Sequence, residues 1–186
     1  MIVFNAPTIL TLVRIALIPL FVVVYYLPYP WAWPMSSLIF ALASITDWLD
    51  GYLARRLNQI SKFGAFLDPV ADKLMVAVAL VMLVGQFNSL YLAVPAMIII
   101  GREIAISALR EWMAEVGKRS SVAVTYIGKV KTTAQMVALL LLLYYHPLLG
   151  IPIYQTGLIL LNLAAGLTLW SMIVHLHAAV RVLKIE

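Results

Sequence analysis

Within residues 45–75, ITDWLDGYLARRLNQISKFGAFLDPVADKLM, four aspartates stand between long apolar runs: Asp47, Asp50, Asp68 and Asp72. Their spacing reads D-x-x-D-G-x-x-A-R, eight residues, then G-x-x-x-D-x-x-x-D. At about 100° per residue, positions 47, 50, 51 and 54 share one face of a helix, and 68 and 72 share a face of the next. An Asp at the centre of a membrane-spanning helix is disfavoured by about 2.5–3.5 kcal/mol, less near its ends, so such residues face a cavity or a partner. Left bare, four neighbouring carboxylates repel one another. Divalent cations remove that repulsion, and oxygen-only ligation in a chain with no cysteine suits Mg²⁺ or Mn²⁺. Asp47, Asp50, Asp68 and Asp72 are therefore the candidate metal ligands. Two such ions can brace the attacking and leaving oxygens of a phosphoryl displacement, and a carboxylate can take the proton of the attacking hydroxyl.

Small and cationic neighbours extend this reading. Gly51 and Ala54 keep bulk off the aspartate face, and Arg55 has the planar fork that grips a phosphate. Taken singly, these features have ordinary explanations: an Asp near a helix end is interfacial, Asp68 before Pro69 opens a helix, and Gly-x-x-Ala packs helices. Four aspartates in phase beside small residues are not explained that way.

Other charges bear on a second substrate. Arg102 and Arg110 lie in IIIGREIAISALREWMAE beside Glu103 and Glu111, and Lys129 and Lys131 lie in YIGKVKTTAQM. An acceptor carrying its own phosphate needs such cations, because a dianion must be matched as it leaves water. The bland alternatives are that Arg110 and Lys129 snorkel to the surface and that Arg102 pairs with Glu103. His146, His175 and His177 have no acidic cluster nearby and read as interfacial or structural, and Tyr25, Tyr26, Trp31 and Trp33 read as an interface belt.

These residues must be positioned by membrane helices. The chain of 186 residues is 64% hydrophobic and 11% charged, with a mean hydropathy of +1.00, far from the balance of a soluble domain. Apolar runs predict six spans, at about 8–28, 34–57, 64–86, 90–114, 126–146 and 153–182. The fold class is therefore all-α, a six-helix membrane bundle forming a single domain over 1–186. Arg55, Arg56, Lys62, Lys118, Arg119, Arg181 and Lys184 flank the second and fourth connectors and the C-terminal tail. The first, third and fifth connectors hold no Lys or Arg, which puts both termini and the aspartates on the cytoplasmic side of the membrane. No cleavable leader is expected. The net charge of +5 is that of topology anchors and anionic-lipid contacts, so no nucleic-acid partner is expected.

The string DWLDGYLARRLNQISKFGAFLDPVAD resembles the signature of the CDP-alcohol phosphatidyltransferases at every fixed position. That resemblance implies a divalent-metal enzyme that displaces CMP from CDP-diacylglycerol. It implies Asp47, Asp50 and Asp68 as metal ligands, Asp72 as general base, and Gly51, Ala54 and Arg55 lining the nucleotide and diphosphate. Further segments, NAPTILTLVRIALIP, REIAISALREWMAEVGKRSSVAV and IGKVKTTAQM, resemble family members whose acceptor is sn-glycerol 3-phosphate. Asn5, Thr8 and Arg14 fall in the first of these and are expected near the nucleotide or diphosphate. Arg110, Lys129, Lys131 and Arg102 are expected around the acceptor's phosphate. The resemblance further implies a homodimer in the bacterial inner membrane, surrounded by membrane lipids. The competing readings are another acceptor (serine, inositol phosphate or phosphatidylglycerol) and an ion-coupled transporter, since intramembrane carboxylates also relay ions. No internal repeat supports the transporter.

Overall fold

The computed structural model describes residues 6–57, 62–116, 126–147 and 150–183, with side chains described for most of them. Six helices follow one another: α1 (Ala6–Tyr25), α2 (Ala32–Leu57), α3 (Lys62–Phe87), α4 (Leu90–Glu115), α5 (Tyr126–Tyr144) and α6 (Ile153–Leu183). Every expected span corresponds to one helix. Four of the six are long and apolar enough to cross a membrane: α1, α3, α4 and α6. α2 carries the charged end DWLDGYLARRL, and the described apolar stretch of α5, Lys131–Tyr144, is shorter.

Turn chemistry sets the helix ends. After α1 come Pro28 and Pro30, which cannot continue a helix. Asn88 turns the chain from α3 into α4 at φ 43°, a left-handed conformation that Asn tolerates better than most residues. Pro69 does not open α3. It lies inside a helix that starts at Lys62, so Asp68 is a mid-helix carboxylate and the helix-start alternative is excluded.

The helices pack as a ring, α1–α2–α5–α6–α4–α3 and back to α1, with α5 also touching α3 across the middle. The sequence predicts α2 and α3 as antiparallel neighbours. Among the described residues the two helices do touch each other, and α1 packs more extensively against both.

The core is a continuous set of buried apolar side chains, including Phe21, Phe40, Leu80, Leu83, Leu92, Ile99, Leu139, Leu142 and Leu143. Burying such side chains is worth about 1.5–3 kcal/mol each in water. Between lipid-facing helices that drive is absent, and close packing and hydrogen bonds do more of the work. Gly157 illustrates the close packing: a Cβ there would lie 3.0 Å from Leu142 Cγ and 3.2 Å from the Ala138 carbonyl oxygen. Ser37 Oγ donates to the Leu140 carbonyl at 3.0 Å, tying α2 to α5, and Asn162 Nδ2 donates to the Tyr91 carbonyl at 3.0 Å, tying α6 to α4.

At the end carrying the uncharged connectors, aromatic rings from five helix ends pack together. Trp33 lies 4.6 Å from Tyr145 and 5.6 Å from Phe87, and Phe87 lies 4.8 Å from Tyr154, between ring centroids. Trp33 and Tyr25 were expected in a surface belt. Instead they join this cluster, at 5.5 Å from each other, while Tyr26 and Trp31 are exposed. The cluster holds one end of the bundle shut, opposite the end that carries the aspartates.

Candidate active site

Helix α1 is greasy except along one stripe. Thr8, Thr11 and Arg14 recur every three residues on one face, and all three are buried, at 1%, 0% and 1% exposure. The stripe faces the aspartates. Arg14 Nη1 donates to Asp47 Oδ1 at 2.6 Å, reaching α2. Thr11 Oγ1 donates to Asp68 Oδ1, reaching α3. One turn of α1 therefore grips a carboxylate from each neighbour and ties the acidic residues of α2 and α3 to a single helix.

Asp72 lies one turn further into the bundle than Asp68. It shares a small cavity with Arg14, Phe40, Ala43, Ser44, Met75, Val76 and Met136. The charged groups that act on it are Asp47, Arg14, Glu103 and Lys73. Arg14, which lines that cavity, also bonds Asp47, so one guanidinium links the two carboxylates.

A cationic cluster lies on α4 and α5. Arg102 Nη1 donates to Glu103 Oε1 at 2.7 Å, and Lys131 Nζ from α5 approaches the same oxygen at 3.8 Å. Lys131 is 2% exposed and Arg102 8%. Arg110 is exposed on α4, yet its charge reaches Lys131. Ser107 Oγ donates to the Glu103 carbonyl at 2.7 Å and accepts from Lys73 Nζ, which joins α3 to α4. Sequence reasoning anticipated the Arg102–Glu103 pairing as an alternative, but it did not single out Thr11, Lys73 or Ser107. For Thr11 there was a usable signal, the Thr-x-x-Thr-x-x-Arg spacing in an otherwise apolar helix.

Of the remaining expected residues, Asp50, Gly51, Ala54 and Arg55 lie on α2 and Lys129 on α5, but their side chains fall outside the described residues. Asn5 lies outside them altogether. Among the described residues, no three acidic or imidazole groups converge as a ready-made metal cage. The donors present nevertheless fit a hard cation. Asp47, Asp68 and Asp72 offer carboxylate oxygens in one region of the bundle, two of them are oriented by hydrogen bonds from α1, and the chain offers no thiolate.

Residues 4–179 match the family described as CDP-alcohol phosphatidyltransferase. The chain belongs to that family. It is 61% identical over 176 residues to a protein of Salmonella typhimurium, and 58% identical over the same length to proteins of Escherichia coli (strain K12) and Pectobacterium atrosepticum. Each alignment covers 95% of this chain and 95% of the relative. All three relatives bear the name CDP-diacylglycerol–glycerol-3-phosphate 3-phosphatidyltransferase. In this member of the family, the sequence signature spans the charged end of α2 and the first turns of α3.

Proposed function

We propose that this chain transfers the phosphatidyl group of CDP-diacylglycerol to the primary hydroxyl of sn-glycerol 3-phosphate, giving phosphatidylglycerol phosphate and CMP. The names of relatives about three-fifths identical over nearly the whole chain support the two substrates. The observation that carries the reading is the position of Asp72. It shares a cavity with Arg14, which holds Asp47, and the next residue of α3, Lys73, bonds Ser107 on the stretch of α4 where Glu103 contacts Arg102 and Lys131. A base adjoining both a donor site and an acceptor site is what a transfer between two phosphate-bearing substrates requires.

In this reading the acceptor's phosphate is matched by Lys131, Arg102, Arg110 and Lys129, which aims its free hydroxyl at the donor. Asp72 accepts that hydroxyl's proton. The hydroxyl oxygen forms a bond to the phosphorus bearing diacylglycerol, the bond from that phosphorus to the CMP oxygen breaks, and CMP leaves with the electron pair. Asp47, Asp50 and Asp68, with Asp72 beside them, would hold divalent cations, Mg²⁺ or Mn²⁺ and two in number, which supply charge neutralisation at the diphosphate. Arg14 and Thr11 fix the rotamers of Asp47 and Asp68, so these carboxylates are oriented before any substrate arrives. Arg55, Gly51 and Ala54, continuing the same face of α2, line the nucleotide and diphosphate, with Asn5 and Thr8 at the entrance of α1.

The reading includes the setting. All six helices cross the bacterial inner membrane as one domain, both termini and the site face the cytoplasm, and the protein works as a homodimer. Acyl chains then stay in lipid while the glycerol phosphate arrives from water. The charge asymmetry of the connectors supports this orientation. A panel of acceptors tests the assignment: purified protein supplied with CDP-diacylglycerol is offered glycerol 3-phosphate, serine, inositol phosphate or phosphatidylglycerol. Release of CMP with glycerol 3-phosphate alone is expected. Turnover of serine but not glycerol 3-phosphate would overturn the acceptor, and no CMP with any of them would favour the transporter.

A further inference from the structure

The cluster around Glu103 is oversupplied with donors. An arginine and a lysine bring up to eight N–H groups to one carboxylate, and both are at least nine-tenths buried. Arg102 uses Nη1 on Glu103, while its buried Nε has no hydrogen-bond partner. Lys131 approaches Glu103 only to 3.8 Å, beyond hydrogen-bond length. Buried charged donors left this incompletely matched are costly unless something further supplies acceptors.

The contacts themselves are of a kind that gives way. Arg102 and Glu103 are adjacent on α4, and neighbouring positions on a helix do not face each other, so the guanidinium folds sideways to reach the carboxylate. α4 and α5 do not pack against each other among the described residues, so the Lys131–Glu103 contact spans an interval between them. Lys73, the residue after Asp72, reaches the same stretch of α4 through Ser107. Around Glu103 itself, the two cations Arg102 and Lys131 outnumber the one carboxylate, which suits the cluster to a further anion.

We infer that Glu103 is a stand-in for the acceptor's phosphate: its carboxylate neutralises Arg102 and Lys131 while the site is empty, and the phosphate displaces it on binding. The inference rests on the acceptor reading given above. Holding the cations this way keeps them apart and oriented in a buried setting. It also makes entry selective, because a neutral acceptor cannot replace the carboxylate and satisfy the donors it leaves.

A competitor that is already in place weakens binding of the ligand it imitates. Removing its charge in Glu103→Gln should therefore lower the KM for glycerol 3-phosphate by about threefold or more, with no rise in kcat and no change in the KM for CDP-diacylglycerol. The measurement is made on the full-length protein in phosphatidylcholine nanodiscs, and inorganic phosphate is tested as an inhibitor in parallel. Phosphate should inhibit the variant at a concentration about threefold or more lower than the wild type. A purely structural Glu103 predicts the reverse, a KM that is unchanged or raised, and that result overturns the inference. If the glutamine variant is not recovered folded, Glu103→Asp decides by the same criteria, since it keeps the charge and withdraws it from Lys131. Failure of the acceptor reading has a different signature. The wild type would then make no product from glycerol 3-phosphate, whatever Glu103 does to phosphate inhibition.

Discussion

Arg14 of α1 and Asp47 of α2 meet inside the bundle, with Nη1 2.6 Å from Oδ1 and the arginine 1% exposed against 43% for the aspartate side chain. The partner that is buried is the cation, and the partner that looks outward is the carboxylate. An arginine so placed orients Asp47 from behind and leaves its outer side toward the substrates. The pair also ties α1 to α2, so it serves the fold and the site together.

Replacing Arg14 by Ala should lower stability by about 1–3 kcal/mol, since a charge-assisted hydrogen bond is lost and a half-exposed carboxylate is left without its cation. The magnitude belongs to the pair. In a double-mutant cycle with Asp47→Asn, followed by thermal unfolding in detergent, a coupling of at least about 0.5 kcal/mol is expected. Additive losses would show that the contact contributes nothing of its own.

Thr11→Val keeps the side-chain shape and removes the hydroxyl that donates to Asp68. Groups that orient metal ligands change affinity or activity by about 10–100-fold when lost. The Mg²⁺ concentration for half-maximal activity should rise about tenfold or more, and Thr11→Ser should restore it. An unchanged metal requirement would mean that the hydroxyl only packs.

Lys131→Met tests the acceptor cluster. The buried ammonium is exchanged for an apolar side chain of similar length, so packing is largely kept. The KM for glycerol 3-phosphate should rise about tenfold or more while the KM for CDP-diacylglycerol stays put. Equal effects on both constants would assign Lys131 to the fold.

Gly157→Leu probes the α5–α6 contact away from the site. A Cβ at this position already meets Leu142, Leu141 and the Ala138 carbonyl within 3.2 Å. Overpacking of this kind costs about 1–3 kcal/mol, to be read as a lowered unfolding temperature. Because the contact is remote from the aspartates, the KM values of the folded fraction should not change.

Hydropathy and helical phase made most of the secondary structure legible. Each span is bounded by Pro, Gly, Asn or charge, and α4, α5 and α6 start at the residues expected. The aspartate motif was legible for a related reason, since charges at fixed spacing contrast sharply with apolar surroundings. Which helix sits beside which was not. Helical periodicity shows that Asp47 and Asp68 need a partner, but Arg14 and Thr11 lie 33 and 57 residues away in sequence, and only packing brings them in. The ring contacts of Trp33 were hidden for the same reason. An aromatic at a span end shows nothing in sequence of the Tyr25, Phe87 and Tyr145 rings that reach it from other helix ends.

The central claim is that Asp72 takes the acceptor's proton in a transfer that releases CMP. Its most direct test compares wild-type protein and Asp72→Asn, both in bilayers with CDP-diacylglycerol, Mg²⁺ and glycerol 3-phosphate, counting CMP and lipid product while donor binding is measured separately. The wild type should form the two products in equal amounts. The variant should still bind CDP-diacylglycerol and lose about 100-fold or more in turnover, the usual contribution of a general base. Turnover by Asp72→Asn at the wild-type rate would contradict the account.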